Sequence, residues 1–327
     1  MGTIAADPTM RGVETTPATP HLLVIDLPNL VSRCWHAQPV FCDARGLPIH
    51  AISGALTTVA RVARATVPGD LSVAMDSPVS FRKQSVPDYK RKRLQRDPDL
   101  IRQEQTAADL LRRCGWAVVE ALGYEADDVI ASITSLYPGR VTVLSGDRDM
   151  LALCSERVAV NLLRSAGPDM LCDGSEALQL FGVRPEQLTD YKALAGDPGD
   201  GIAGVTGIGP RTAVALLTEC GDLDALFAVA ARGGLTPDVC HRLGVPATVP
   251  QRLLAHREEA LRSRFLARMV PDLGLEQPEW APVAQCFSDH AVARARAYGA
   301  TELAPRLAPA RSAAAPSHAE PSLGLPF

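Results

Sequence analysis

Four short apolar runs in the first half of this chain, each the length of a buried strand, are separated by segments with helical spacing. The runs are Leu22–Ile25, Leu71–Met75, Trp116–Val119 and Val141–Leu144. Between them, Gly54–Val67, Gln103–Cys114 and Ala126–Leu136 repeat apolar residues along one helical face. Strands that are apolar on both faces need cover on both faces, so this alternation predicts an α/β domain: a mostly parallel sheet flanked by helices. After about residue 175 the strand signal fades. Short helices are expected at Ser175–Phe181, Pro185–Ala195, Pro210–Cys220 and Asp222–Ala231, and a long one at Val249–Met269. The chain reads as an α/β domain over 21–183 and a helical domain over 184–303. Residues 1–20 read as a flexible leader, and 304–327, with five prolines among Ala and Ser, as a disordered Pro/Ala-rich tail.

Three of the four strands run into an acid. Asp26 follows the first, Asp76 the second, and Ser145-Gly146-Asp147 with Asp149 the fourth. In an open α/β sheet the carboxyl ends of the strands form the ligand crevice, which gathers these side chains at one edge. Glu125-Ala126-Asp127-Asp128 opens a helix, where acids also suit the helix dipole. Asp197 and Asp200 sit in a glycine-rich turn, Gly196–Gly201. Each group alone has an ordinary explanation, but nine carboxylates in one crevice would repel strongly unless cations were shared among them. An all-oxygen set suits Mg²⁺ or Mn²⁺ and not zinc, and two such ions are a known clamp for phosphodiester hydrolysis. The seven histidines lack metal-ligand spacing.

Residues 81–96 hold seven basic residues against one acid, Asp88, with Phe81 and Tyr89 interleaved. A charge run is usually a solvated face. Beside an acidic metal site, however, a positive strap is what a polyanion needs, and the aromatic rings offer stacking to bases. Gly204-Val205-Thr206-Gly207-Ile208-Gly209-Pro210-Arg211-Thr212 precedes a helical run. It places glycine amides at a helix N-terminus, a sequence-independent grip for phosphates.

Composition narrows the class. Lys and Arg number 33 against 37 Asp and Glu, a net charge of −4, which excludes a uniformly basic nucleic-acid binder but not a local patch. No run approaches the ~18 apolar residues of a spanning helix, so no membrane role is expected. The eight cysteines are scattered without a C-x-x-C pair and read as free thiols of a reducing, cytoplasmic compartment.

In this order and spacing, over roughly residues 21–270, the chain resembles the 5′ nuclease superfamily: the 5′→3′ exonuclease domain of bacterial DNA polymerase I, phage 5′ nucleases and flap endonucleases. The landmarks are Val24-Ile25-Asp26, Ala74-Met75-Asp76, Pro87-Asp88-Tyr89-Lys90 with Arg93, Gly123-Tyr124-Glu125-Ala126-Asp127-Asp128, Ser145-Gly146-Asp147-Arg148-Asp149, Gly196-Asp197 with Asp200, and Gly207-Ile208-Gly209-Pro210-Arg211-Thr212. The resemblance implies a PIN-like α/β domain with a basic arch or clamp over 77–100, followed by a helix–three-turn–helix DNA-binding domain. It implies a Mg²⁺- or Mn²⁺-dependent 5′→3′ exonuclease and 5′-flap endonuclease of DNA replication or repair, with two ions per site; since only about 50 residues remain after 275, a stand-alone monomer without a polymerase domain is expected. Asp26, Asp76, Glu125, Asp127, Asp128, Asp147, Asp149, Asp197 and Asp200 would hold the ions. Lys90 and Arg93 would polarise the scissile phosphate beside Asp26 and Asp76, with Tyr89 stacking on the terminal base. Arg33, Phe81, Arg82, Gly207, Gly209, Arg211 and Thr212 complete the expected DNA contacts, with a monovalent cation such as K⁺ at the hairpin. Two departures stand out: Leu27-Pro28-Asn29 replaces the usual glycine after Asp26, and Pro198-Gly199 alters the second acidic turn. They keep open a catalytically weak or inactive module binding branched DNA on the same scaffold. A PIN-domain ribonuclease is a third reading.

Overall fold

The structure is a computed structural model that describes residues 19–91, 96–275 and 279–309. Seven strands form one sheet: β1 (His21–Asp26), β2 (Asp70–Ala74), β3 (Val118–Val119), β4 (Arg140–Ser145), β5 (Val158–Leu162), β6 (Met170–Cys172) and β7 (Ala281–Pro282). The order is β3-β2-β1-β4-β5-β6. All pairs on that path are parallel except β5–β6. β7 runs antiparallel on the outer edge of β2, opposite Asp70 and Leu71, while β3 takes Val73 and Ala74. Sharing that edge explains why β3 is two residues long where the apolar run suggested four. Trp116 instead is buried, and its Nε1–H donates to the Cys286 carbonyl at 3.0 Å.

The period-2 alternation of β1 sorts the core. Leu23 and Ile25 face α1 (Leu27–Ala37), α2 (His50–Thr66) and α4 (Pro98–Arg113), beyond the short α3 (Phe81–Ser85). Leu22 and Val24 face α5 (Ala126–Leu136) and a core continuous with the second lobe. The first lobe closes with α6 (Gly174–Phe181) beside β6, and the second lobe comprises α7 (Leu188–Ala195), α8 (Pro210–Cys220), α9 (Leu223–Ala231), α10 (Pro237–Arg242), α11 (Val249–Ala255) and α12 (Arg257–Ala267). The expected long helix over 249–269 is thus two, divided at His256, which leaves helical geometry at φ −111°. β5 and β6 were not anticipated: β5 reads Val-Ala-Val-Asn-Leu with alternating burial, a weaker pattern than its neighbours.

The chain's end departs from expectation. Residues 281–303, assigned by sequence to the helical domain, return to the first lobe as β7, α13 (Val283–Cys286) and α14 (Asp289–Ala297). The expected tail begins too early as well. Ala304–Leu307 forms a 3-10 turn, and Leu303, Ala304 and Leu307 are buried with α2 and α14. Alanine and proline mimic a linker composition, but the residues that matter, Leu303 and Leu307, lie four apart on one face. The expected leader at 1–18 and the rest of the tail at 310–327 lie outside the described residues. No helix among the described residues is long and apolar enough to cross a membrane.

Leu307→Ala tests this packing. A tail residue would tolerate the change. Here the truncation of a fully buried leucine is expected to cost about 2–4 kcal/mol, measured by urea unfolding.

Candidate metal centre and nucleic-acid interface

β2, β1 and β4 are adjacent and parallel, so their carboxyl ends deliver Asp76, Asp26 and Asp147 to one edge of the sheet. Asp26 ends β1 and caps α1. Its Oδ1 accepts from the Asn29 N–H at 3.2 Å, with Pro28 in the first turn. The departure Leu27-Pro28-Asn29 is therefore a helix start. It also supplies Asn29 Oδ1 to the Gly146 N–H at 2.8 Å, tying the Asp26 turn to the one carrying Asp147. Asp26 Oδ2 accepts from the Ser145 hydroxyl at 2.7 Å. Burial, with Asp76 and Asp147 adding repulsion against the Ser145 hydrogen bond, pushes Asp26 up to about 7. Asp76 Oδ1 accepts from the Ala126 N–H at 2.8 Å, which locks the second strand end to the start of α5.

A second acidic group forms where the lobes meet. Asp149, Asp197 and Asp200 each offer a carboxylate oxygen, all within 4.8 Å of one another. The altered turn does not spread them: Asp197 and Ile202 exchange backbone hydrogen bonds at 2.8 and 2.9 Å, and the Gly199 N–H caps Asp197 Oδ1 at 3.0 Å. Gly204, at φ +68°, closes this hairpin, and a Cβ there would lie 2.4 Å from the Gly196 nitrogen. Lys192, unforeseen in the sequence, reaches in from α7. Its Nζ bonds Asp149 and, at 2.8 Å, Asp197 Oδ2. Burial and Asp147 raise Asp149 to about 6 despite Lys192. Burial also opposes charge on Asp197, but Lys192 and two backbone N–H groups outweigh it and hold Asp197 low. The signal for Lys192 was its place as the one cation of the short helix Leu188–Ala195.

The Glu125 group divides by role. Asp127 is pushed up to about 7 by burial, against Lys90 and Arg82. Asp128, expected to bind metal, is fully buried and saturated. Its Oδ1 accepts from Arg82 Nη2 (2.7 Å) and the Val270 N–H (2.9 Å), its Oδ2 from Arg82 Nη1 (2.6 Å) and the Glu125 N–H (3.2 Å). A carboxylate has about four acceptor positions, so none is left for an ion. The same pairing corrects Arg82. Only 1% exposed, and also donating to the Arg268 carbonyl at 2.6 Å, it fastens α3 to α5 and to the exit of α12, and it is not a DNA contact. Glu125 accepts from Ser80 (3.1 Å), Tyr89 (3.1 Å) and Lys90 Nζ (2.8 Å). Burial opposes its charge, but Lys90 and the other donors hold it below the usual range.

Tyr89 is likewise not placed for stacking. It is 3% exposed and packs with Ile202 and Leu266. Phe81 is half-buried against Tyr124 and Phe265. Arg33 lies over Gly146, beside Asp147, where a Cβ would come within 2.5 Å of its Cδ. Arg93 lies outside the described residues. At the hairpin, Gly207, Gly209 and Arg211 are exposed and Thr212 is half-buried. Gly209 starts α8 with no side-chain cap, so first-turn amides face outward. Gly207 has φ +79°, and the guanidinium of Arg252, another residue not foreseen, donates to its carbonyl at 3.1 Å.

The acids, the basic α3–Lys90 segment and the exposed hairpin thus lie on a scaffold whose relatives can be compared. Residues 21–181 match the family model of the 5′-3′ exonuclease N-terminal resolvase-like domain, and 183–285 that of the 5′-3′ exonuclease C-terminal SAM fold. DNA polymerase I of Deinococcus radiodurans is 35% identical over 272 residues, 82% of this chain but 27% of that protein. The chain thus spans little more than a quarter of that relative's length. A 5′-3′ exonuclease of Aquifex aeolicus is 31% identical over 210 residues, 63% of this chain and 72% of that one. Among solved structures, the T5 D15 protein co-crystallised with metal ions superposes with a TM-score of 0.61 at 21% identity, over 88% of this chain and 96% of that one. The bacteriophage T5 D15 flap endonuclease in a pseudo-enzyme-product complex with DNA and metal ions superposes with a TM-score of 0.59 at 22% identity, over 88% and 96%. At that identity these likenesses establish the fold, a mostly parallel sheet flanked by helices with a helical second lobe. The chain belongs to the 5′-3′ exonuclease family, hydrolases that act on DNA.

Proposed function

We propose that this chain hydrolyses DNA phosphodiesters from 5′ ends and at 5′ flaps, using two Mg²⁺ or Mn²⁺ ions, as a cytoplasmic monomer in replication or repair. The observation that carries the reading is the pair of acidic groups, one at the sheet edge and one where the lobes meet. Asp26, Asp76 and Asp147 would hold one ion, with Asp127 through water. Asp149, Asp197 and Asp200 would hold the other. The donor set fits: all ligands are oxygens, several carboxyls are pushed up by burial with neighbouring acids adding to it, and Asp26 keeps oxygen lone pairs beyond its two hydrogen bonds. The bound ions supply a nucleophilic water at neutral pH and neutralise charge on the leaving oxygen.

The chain's own groups do the rest. Lys90 is held charged above the ordinary lysine range against burial, with the Glu125 carboxylate 2.8 Å from Nζ, and its side chain is 14% exposed. It can shift from Glu125 to a phosphate oxygen. Arg33 would meet the same phosphate from the opposite turn, with Arg93 completing the basic pair. Outward amides at Gly207 and Gly209, with Arg211 and Thr212, would track the duplex backbone, with K⁺ as the expected monovalent partner of the hairpin. The two sequence departures give no support to an inactive module, because both turns keep their carboxylates at the site.

Incubating the protein with 5′-flap duplex in Mg²⁺ or EDTA tests the reading. Mg²⁺-dependent release of the flap or of short 5′ products is expected, and DNA flaps should be cut in preference to RNA. Asp147→Asn should lower cleavage about a hundredfold or more, equivalent to at least ~2.7 kcal/mol of transition-state stabilisation. Asp128→Asn should instead destabilise the fold, by up to roughly 3 kcal/mol, because it leaves the buried Arg82 with only the longer 3.6 Å ion pair to Glu125, seen as an earlier urea midpoint. Unchanged cleavage in Asp147→Asn would sink the metal assignment.

A pH prediction follows from the raised carboxyls. Asp26 and Asp127 titrate near 7 and Asp149 near 6 in the folded chain, against 3.8 unfolded. The folded state therefore binds more protons than the unfolded one between about pH 4 and 7, and stability falls as pH rises through that window, levelling off above it. Metal-free protein should melt several degrees higher at pH 5.5 than at pH 8, and saturating Mg²⁺ should remove most of the difference. Equal melting temperatures without metal would show that these acids are not raised by burial and crowding in the folded chain.

A further inference from the structure

The two acidic groups differ in what balances them. Asp26 accepts only neutral donors, a backbone N–H and the Ser145 hydroxyl. Asp149 and Asp197 share an ammonium, that of Lys192. This lysine is 7% exposed and rises from the last turn of α7, whose neighbouring Ala193 and Leu194 are fully buried. Its stem is therefore fixed by the helix and not by the flexibility of a surface side chain. Beside it opens a small recess lined by Asp149, Leu188, Thr189, Ala267 and Met269.

We propose that Lys192 is a tethered counter-cation. It keeps Asp149 and Asp197 together when no divalent ion is bound, and it must withdraw from them before one enters, so that it sets the divalent concentration at which this position fills. The inference rests on the two-ion reading above. The physical case is one of shared carboxylates. Nζ contacts the same Asp149 and Asp197 carboxylates that, with Asp200, form the metal-sized cluster. A Mg²⁺ ion demands those oxygens at about 2.1 Å in near-octahedral geometry and tolerates no second cation between them. An ammonium is held at hydrogen-bond distance by two of them and can be exchanged for the ion without unfolding the hairpin. Lys192 is thus a positioning residue, acting on the ion through its ligands.

The test reads metal binding and not turnover. Full-length metal-free protein is titrated with Mn²⁺, and free Mn²⁺ is followed by electron paramagnetic resonance, for wild type, Lys192→Met and Lys192→Arg. The expected result is that Lys192→Met tightens the weaker Mn²⁺ site roughly tenfold or more and leaves the stronger site within about twofold. Lys192→Arg, which keeps the charge, should not tighten it. Adding Asp197→Asn to Lys192→Met should abolish the gain. A purely structural lysine predicts the opposite, since its loss would let the carboxylates separate and weaken the site. Unchanged or weaker binding in Lys192→Met overturns the proposal. One ion in both wild type and Lys192→Met overturns the two-ion reading instead, and one ion in wild type with two in Lys192→Met supports the proposal in its strongest form. Should Lys192→Met fail to fold, Lys192→Gln removes the same charge and is read in the same way.

Discussion

Repulsion among carboxylates is the constraint around which this molecule is arranged. Parallel strands that end together bring Asp26, Asp76 and Asp147 to one edge whether or not their charges tolerate it. The chain answers with cations placed at the two flanks. Lys90 sits on Glu125 at one side and Lys192 on Asp149 and Asp197 at the other, while the middle, around Asp26, is left to protons or to divalent ions. Arg82 serves a different purpose. Its pairing with Asp128 is buried and bidentate, so it fixes the position of α5, whose first turn carries Asp127.

What the sequence made legible follows from this. The acids at strand ends and the helix start at Ala126 were readable because backbone periodicity alone decides them. The glycine hairpin was readable because only certain residues tolerate its geometry. The partner of each acid was not readable. Asp127 and Asp128 are adjacent and chemically alike, yet one keeps lone pairs for a ligand and the other spends all of them on Arg82 and two backbone amides. That distinction depends on where a segment 46 residues earlier places its guanidinium. Lys192 hid for the same reason, since a single lysine in a short helix looks like an ordinary solvated residue. Leu303 and Leu307 were obscured by the Ala and Pro around them, although their spacing was visible.

The base of the basic segment joins the Glu125 side of the acidic cluster to the hairpin 197–202. Lys90 adopts φ +54°, a left-handed conformation that costs a residue with a Cβ roughly 1–2 kcal/mol. Three contacts offset that cost. The Lys90 N–H donates to the Asp200 carbonyl at 3.0 Å, its Nζ reaches Glu125, and Tyr89 is buried beside Ile202 and Leu266. Two of these lead into the hairpin 197–202 that carries the second acidic group. One residue thus joins the two flanks of the acidic cluster: its side chain holds Glu125 and its backbone N–H holds the 197–202 turn, so the left-handed geometry at Lys90 is the cost of tying the basic segment to both.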